Sequence, residues 1–162
     1  EMAGEGAATT GVALVPPGPL AIEIAPDTPP IRFDADHLRR ILVNLLDNAR
    51  RYCSGRPGSI RLRVGPVDLQ HVEIAVANDG APDDPEIRPH LFEPFFSTRS
   101  RGTGLGLYIC RELCERYDAR IDYRLLDEAV LHRNEFIVLA RRWHGTLPKV
   151  DIELDPAAPP PT

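Results

Sequence analysis

Apolar residues change their spacing several times along the chain, and each change marks an element. From Asp36 to Tyr52 the apolar positions are Leu38, Ile41, Leu42, Leu45, Leu46 and Ala49. Intervals of three and four place them on one buried helical face, with Asp34 or Asp36 available to cap its start. Leu105, Ile109, Leu113 and Tyr117 recur every fourth position and predict a second helix over 105–117. Cys110 and Cys114 lie beside that stripe and read as small core residues. Elsewhere the period drops to two. Over 59–65, Ile60, Leu62 and Val64 alternate with Arg61 and Arg63; the next strand sets Val72, Ile74 and Val76 against Glu73 and Ala75. Short extended pieces at 12–15 and 20–24 flank a P-P-G-P turn, and strands over 119–126 and 135–142 close the pattern. Pro89 limits 85–91 to a turn or two of helix. Strands, helix, strands, helix, strands: this order predicts an α/β sandwich with helices on one face of a mixed sheet.

At 162 residues the chain is the size of one domain. Its 17 prolines divide it further, because six lie between Pro16 and Pro30 and four between Pro156 and Pro161. The expected organisation is a flexible lead-in at 1–11, a folded domain at 12–142 and a Pro-rich tail at 143–162. A net charge of −5 argues against a nucleic-acid surface. No apolar run approaches the roughly 20 residues that span a bilayer, so no membrane contact is expected of this segment. Three cysteines without framework spacing suit a reduced, cytoplasmic setting.

Three segments carry candidate chemistry. On the first helix Asn44, Asn48 and Arg51 stand at i, i+4 and i+7, one stripe beside the apolar face. A solvated polar face would explain them; so would Mg²⁺ and phosphate, since amide oxygens are hard, neutral ligands and arginine is a permanent cation. At 76–82, V-A-N-D-G-A-P, alternation turns Asn78 inward with Val72, Ile74 and Val76, and Gly80 allows a close backbone approach. An ordinary Asn-Asp-Gly turn is the plainer explanation there. At 101–107, R-G-T-G-L-G-L runs straight into a helix, so backbone N–H groups and a helix N-terminus favour phosphate. Neither a preceding strand nor a G-x-x-x-x-G-K pattern is present, and the one lysine, Lys149, is distant.

Together N-L-L-D-N-A-R-R-Y (44–52), N-D-G (78–80), F-E-P-F-F (92–96) and G-T-G-L-G-L (102–107) resemble the N, G1, F and G2 boxes of sensor histidine kinase catalytic domains, with matching order and spacing. F-E-P-F-F-S-T-R-S-R-G-T-G-L-G-L-Y-I-C-R-E-L-C-E-R is most similar to the short-lid kinases of the nitrogen-regulation and type IV pilus (PilS) kind. The resemblance implies the Bergerat ATP-binding fold: a mainly antiparallel sheet of about five strands with two or three helices on one face. It implies ATP and Mg²⁺ as cofactors, Asn48 as metal ligand and Asn44 as its support in the catalytic cluster. Arg51 would face phosphate and Tyr52 the adenine. Asn78 takes the place of the adenine-reading aspartate, and Gly80 that of the first G1 glycine. Ser97–Arg101, with Thr98 and Arg99, would form a short lid over a triphosphate cradled by Gly102, Thr103, Gly104, Leu105, Gly106 and Leu107. Phe92, Phe95 and Phe96 would anchor that lid.

Departures from the pattern have consequences. Asn78 lacks the aspartate's charge, which weakens the expected hold on the base. Pro82 replaces the second G1 glycine, and L-H-R-N-E-F stands where a late glycine-threonine box belongs. The ATP-hydrolysing relatives and anti-sigma kinases carry a general-base glutamate four residues before the metal asparagine. Here that place is Asn44, which cannot take a proton, so slow hydrolysis is expected. None of His37, His71, His90, His132 or His144 sits in an acceptor-histidine box. The implied partners are therefore a dimerisation and phosphotransfer domain of the same parent protein and a response-regulator receiver domain. The parent is expected at the bacterial inner membrane. A degenerate, non-catalytic nucleotide-sensing module of the same fold is the alternative.

Overall fold

The computed structural model describes residues 12–14, 18–96, 105–127, 130–145 and 149–152. Strands β1 (Val12–Leu14) and β2 (Leu20–Ile24) lead, through β3 (Ile31–Arg32), to helix α1 (Ala35–Tyr52). Strands β4 (Ile60–Pro66) and β5 (His71–Asn78) follow, then a 3₁₀ turn at Arg88–His90 and helix α2 (Gly106–Arg116). Strands β6 (Arg120–Leu125), β7 (Asn134–Arg141) and β8 (Lys149–Val150) complete the described chain.

The main sheet runs β1-β2-β4-β5-β7-β6. Its β2–β4 pair is parallel and its other pairs are antiparallel. Its six strands fall on the six extended segments of the sequence pattern, in the mixed, mainly antiparallel sheet that the resemblance implies. The helix near Pro89 shrinks to the 3₁₀ turn, as a proline inside a short helix dictates. Two elements have no counterpart in the sequence pattern. Strand β3 pairs with β8 in a separate two-stranded sheet, and Val150 and Ile152 pack against the core. Strand β8 and Ile152 lie within the 143–162 stretch expected as a Pro-rich tail.

Helix α1 starts on Asp34, whose carboxylate accepts from the N–H groups of Asp36 and His37. Its buried face is Leu38, Ile41, Leu45 and Ala49. Burial of a side chain such as Ile41 or Leu45 contributes roughly 1.5–3 kcal/mol. This face meets the inward row of the sheet: Ile60, Leu62 and Val64 from β4, Val72, Ile74 and Val76 from β5, and Phe136, Val138 and Ala140 from β7. Cys110, Leu113 and Cys114 add the face of α2. The opposite sheet face is charged, with Glu73 and Glu135 held between Arg63 and Arg124. Ala75 and Ala77 on that face are also buried, beneath longer neighbours, so alternation alone understates how closed β5 is.

Candidate functional site

Helix α1 supplies the first wall. Asn44, Asp47, Asn48, Arg51 and Tyr52 all border one cavity of about 330 Å³. The i, i+4, i+7 stripe is therefore brought together as a lining, half-buried at Asn44 and Asn48 and exposed at Arg51. The Nδ2 atom of Asn44 is buried without a hydrogen-bond partner. Burial pushes the neighbouring Cys110 thiol up to about 12. Asp47 answers Arg50 at 2.7 Å and Arg51 at 3.0 Å. Arg51 is thus drawn back to its own helix, an exposed pair that adds little stability.

Strand β5 supplies the floor. Asn78 is the next inward residue after Val76 and is buried, 2% exposed. Its Oδ1 accepts from the N–H of Gly80 at 2.8 Å. Gly80 itself does not border the cavity. A Cβ there would stand 2.1 Å from the carbonyl oxygen of Tyr52, so the close approach it permits is to the end of α1. Asp79 faces away, as alternation requires, and its carboxylate accepts from both N–H and Oγ–H of Ser54. Burial pushes the Asp79 carboxyl up, but the Ser54 donors outweigh it and hold the group below the usual carboxylate range. Helix end and strand end are thereby tied.

Helix α2 supplies the third wall. Leu105, Gly106, Leu107 and Ile109 border the cavity. Unlike α1, this helix has no side-chain cap on its N-terminus and no acid in its first turn. Its first N–H groups carry the positive end of the helix dipole, which no acid of its own first turn offsets. Asn44 stands beneath that terminus, its Oδ1 3.9 Å from where a Cβ on Gly106 would lie. Of the three phenylalanines expected to anchor the lid, Phe92 packs edge-on against Phe136 and Phe96 borders the cavity. Phe95 does neither. It is 76% exposed at φ 64°, and the lid it would anchor lies outside the described residues. Thr98, Arg99, Gly102, Thr103 and Gly104 lie outside the described residues.

Sequence reasoning missed part of the lining. Asp47, Asp83, Tyr123, Asn134 and Phe136 border the same cavity. Asp47 sits on the same helix face as the asparagines, so its spacing could have found it. Asn134 becomes visible only through strand register, as the direct cross-strand partner of Asn78. Its Nδ2 donates to the carbonyl of Gly80 at 2.6 Å, and the Tyr123 hydroxyl donates to its Oδ1. Burial raises the Tyr123 phenol, opposed by the backbone N–H of Asp83.

The donor set suits a hard cation carried by its ligand. Among the described residues no three His, Cys, Asp or Glu side chains cluster as a metal cage. The cavity offers amide oxygens on α1, which fit Mg²⁺ when phosphate and water complete its shell.

A family model for histidine kinase-, DNA gyrase B-, and HSP90-like ATPases matches residues 33–144. The sensor protein kinase PilS of Pseudomonas aeruginosa is 43% identical over 102 residues, 60% of this chain and 19% of that protein. The sensory histidine kinase/phosphatase NtrB of Rhodobacter capsulatus is 33% identical over 108 residues, 59% of this chain and 30% of that protein. Among solved structures, the mycobacterial sensor histidine kinase MprB superposes with a TM-score of 0.64 at 25% identity, covering 76% of this chain and 81% of that one. Full-length ShkA in complex with AMPPNP gives 0.62 at 29% identity, over 75% of this chain and 25% of its own. The chain thus spans less than a third of these two curated relatives.

Proposed function

The chain belongs to the histidine kinase-, DNA gyrase B-, and HSP90-like ATPase family, as a catalytic domain of the sensor histidine kinase type, and from that premise we propose how it works. It binds Mg·ATP in the cavity between α1, the end of β5 and the start of α2. It presents the γ-phosphoryl to a histidine on a separate dimerisation domain of its parent protein, for relay to a response-regulator receiver. The observation that carries this reading is the convergence of Asn44, Asn48 and Asn78 on one cavity with a helix N-terminus that has no side-chain cap.

Each residue then has a role set by its chemistry. Asn48 offers an amide oxygen to Mg²⁺, and Asn44 supports it from the preceding turn. Arg51 exchanges Asp47 for phosphate, and Tyr52 borders the base with Asn78. The N–H groups of Gly106 and Leu107 take phosphate oxygens, joined by Leu105, Gly102, Thr103, Gly104, Thr98 and Arg99 in the roles the resemblance gives them. When bound, Mg²⁺ neutralises charge on the triphosphate. Phosphoryl transfer asks mainly for positioning and charge, which amides, glycines and arginines provide. Asn44 stands in the place of the hydrolysing relatives' general-base glutamate and cannot take a proton, so ATP is held rather than spent on water. The AMPPNP complex of ShkA supports the choice of nucleotide by analogy.

The test is transfer in trans. With γ-labelled ATP and a separately supplied dimerisation domain bearing an acceptor histidine, label should appear on that domain, stable to base and labile to acid. Label on this chain's own histidines, or fast release of free phosphate without transfer, contradicts the proposal.

A further inference from the structure

Asn78 and Asn134 are two buried amides, 2% and 4% exposed, that face each other across β5 and β7 at the cavity floor. Between them stands Gly80, whose N–H can only donate and whose carbonyl can only accept. The N–H donates to Asn78 Oδ1 at 2.8 Å; the carbonyl accepts from Asn134 Nδ2 at 2.6 Å. Tyr123 completes the chain. Its hydroxyl donates to Asn134 Oδ1.

Each amide is therefore fixed in one orientation. Turning Asn78 over would set NH₂ against the Gly80 N–H. Turning Asn134 over would set its oxygen against the Gly80 carbonyl. Either mismatch strands buried polar groups, which disfavours the flipped form by roughly tenfold or more. With Oδ1 already accepting from Gly80, Asn78 keeps one further lone pair there and adds Nδ2, a donor that a carboxylate would lack. A carboxylate in that position would be charged and acceptor-only, and would repel an oxygen on the base edge. The fixed amide instead meets such an oxygen with an N–H, and it also suits the acceptor nitrogen of an adenine edge.

We propose that the base subsite, given the nucleotide-binding reading above, accepts 6-oxopurine triphosphates alongside ATP, because the Tyr123–Asn134–Gly80 chain holds Asn78 with a donor available to the base. Asn78 is the specificity-determining residue; Asn134 and Tyr123 are positioning residues. Inosine triphosphate is the cleanest probe, because it differs from ATP only by the oxygen at C6 and the accompanying N1–H.

Calorimetric titration of the chain with ATP and with inosine triphosphate, both with Mg²⁺, reads the ratio of their dissociation constants directly. The ratio should lie within about tenfold for the natural chain, and Asn78→Asp should shift it at least about tenfold further toward ATP. The natural ratio needs no variant, so a folding defect in Asn78→Asp would not obscure it. A natural ratio more than about tenfold in favour of ATP overturns the base proposal and leaves the nucleotide site standing. An unchanged ratio in folded Asn78→Asp also overturns it. Binding of neither nucleotide overturns both.

Discussion

A single added methyl group at Gly80 would stand 2.1 Å from the Tyr52 carbonyl oxygen and 2.9 Å from Asn78 Oδ1. Backbone cannot yield cheaply there, since Ser54 and Asp79 bind the same two chain ends together. Gly80→Ala should therefore destabilise the domain by about 3 kcal/mol, the upper part of the usual overpacking cost, measured by urea denaturation. Stability equal to the natural chain would mean the α1–β5 junction is looser than described. Asn48→Ala removes one proposed oxygen from the metal and no core contact. It should abolish the Mg²⁺ dependence of nucleotide binding while leaving the thermal midpoint nearly unchanged; a Mg²⁺ effect that survives contradicts the role. Asp79 adds a pH signature. Its folded pKa lies below the ordinary carboxylate value, so its stabilisation is present above roughly pH 4 and fades as pH falls through the lower folded value. Ser54→Ala should shrink that acid-side loss, which a pair of denaturation series at pH 5 and pH 3 would register.

At the scale of elements, α1 and α2 were legible because each buries a stripe at helical spacing. The observed ranges, Ala35–Tyr52 and Gly106–Arg116, differ from the sequence pattern by one residue at each shifted end. Strands β1, β2, β4, β5, β6 and β7 were also legible, β4 and β5 from alternation and β1 and β2 from the turn between them. The pair β3–β8 was not. Two residues per strand carry no period, and neighbouring prolines masked the apolar positions Val150 and Ile152. The α1 half of the site was visible because its spacing lies along one helix. Asn134 and Tyr123 were hidden because they reach Asn78 and Gly80 only through strand register. The two helices also make a chemical prediction. Burial raises both Cys110 and Cys114 to about 12, so neither is a thiolate near neutrality. Iodoacetamide at pH 8 should spare both in the folded chain and label both after unfolding, read by peptide mass. Fast labelling of either in the native protein would contradict the tight α1–α2 contact.

Across the whole molecule the two sheet faces divide the work. The helix-covered face holds the core and, at one end, the cavity. The other face holds Glu135, whose side chain is 1% exposed between Arg63 at 3.1 Å and Arg124. Glu135→Gln leaves those arginines with Glu73 alone. It should cost roughly 2 kcal/mol in denaturation, less than a fully buried pair because both arginines still reach solvent. Nucleotide affinity should hardly move, since this face stands apart from the cavity. Everything functional converges on a different claim: that one cavity, floored by Asn78 and walled by Asn44, Asn48 and the start of α2, is a Mg·ATP site. A calorimetric titration with a non-hydrolysable ATP analogue, run with and without Mg²⁺, tests it most directly. Saturable one-to-one binding that Mg²⁺ strengthens is expected; no binding under either condition, or binding indifferent to Mg²⁺, would contradict a Mg·ATP site.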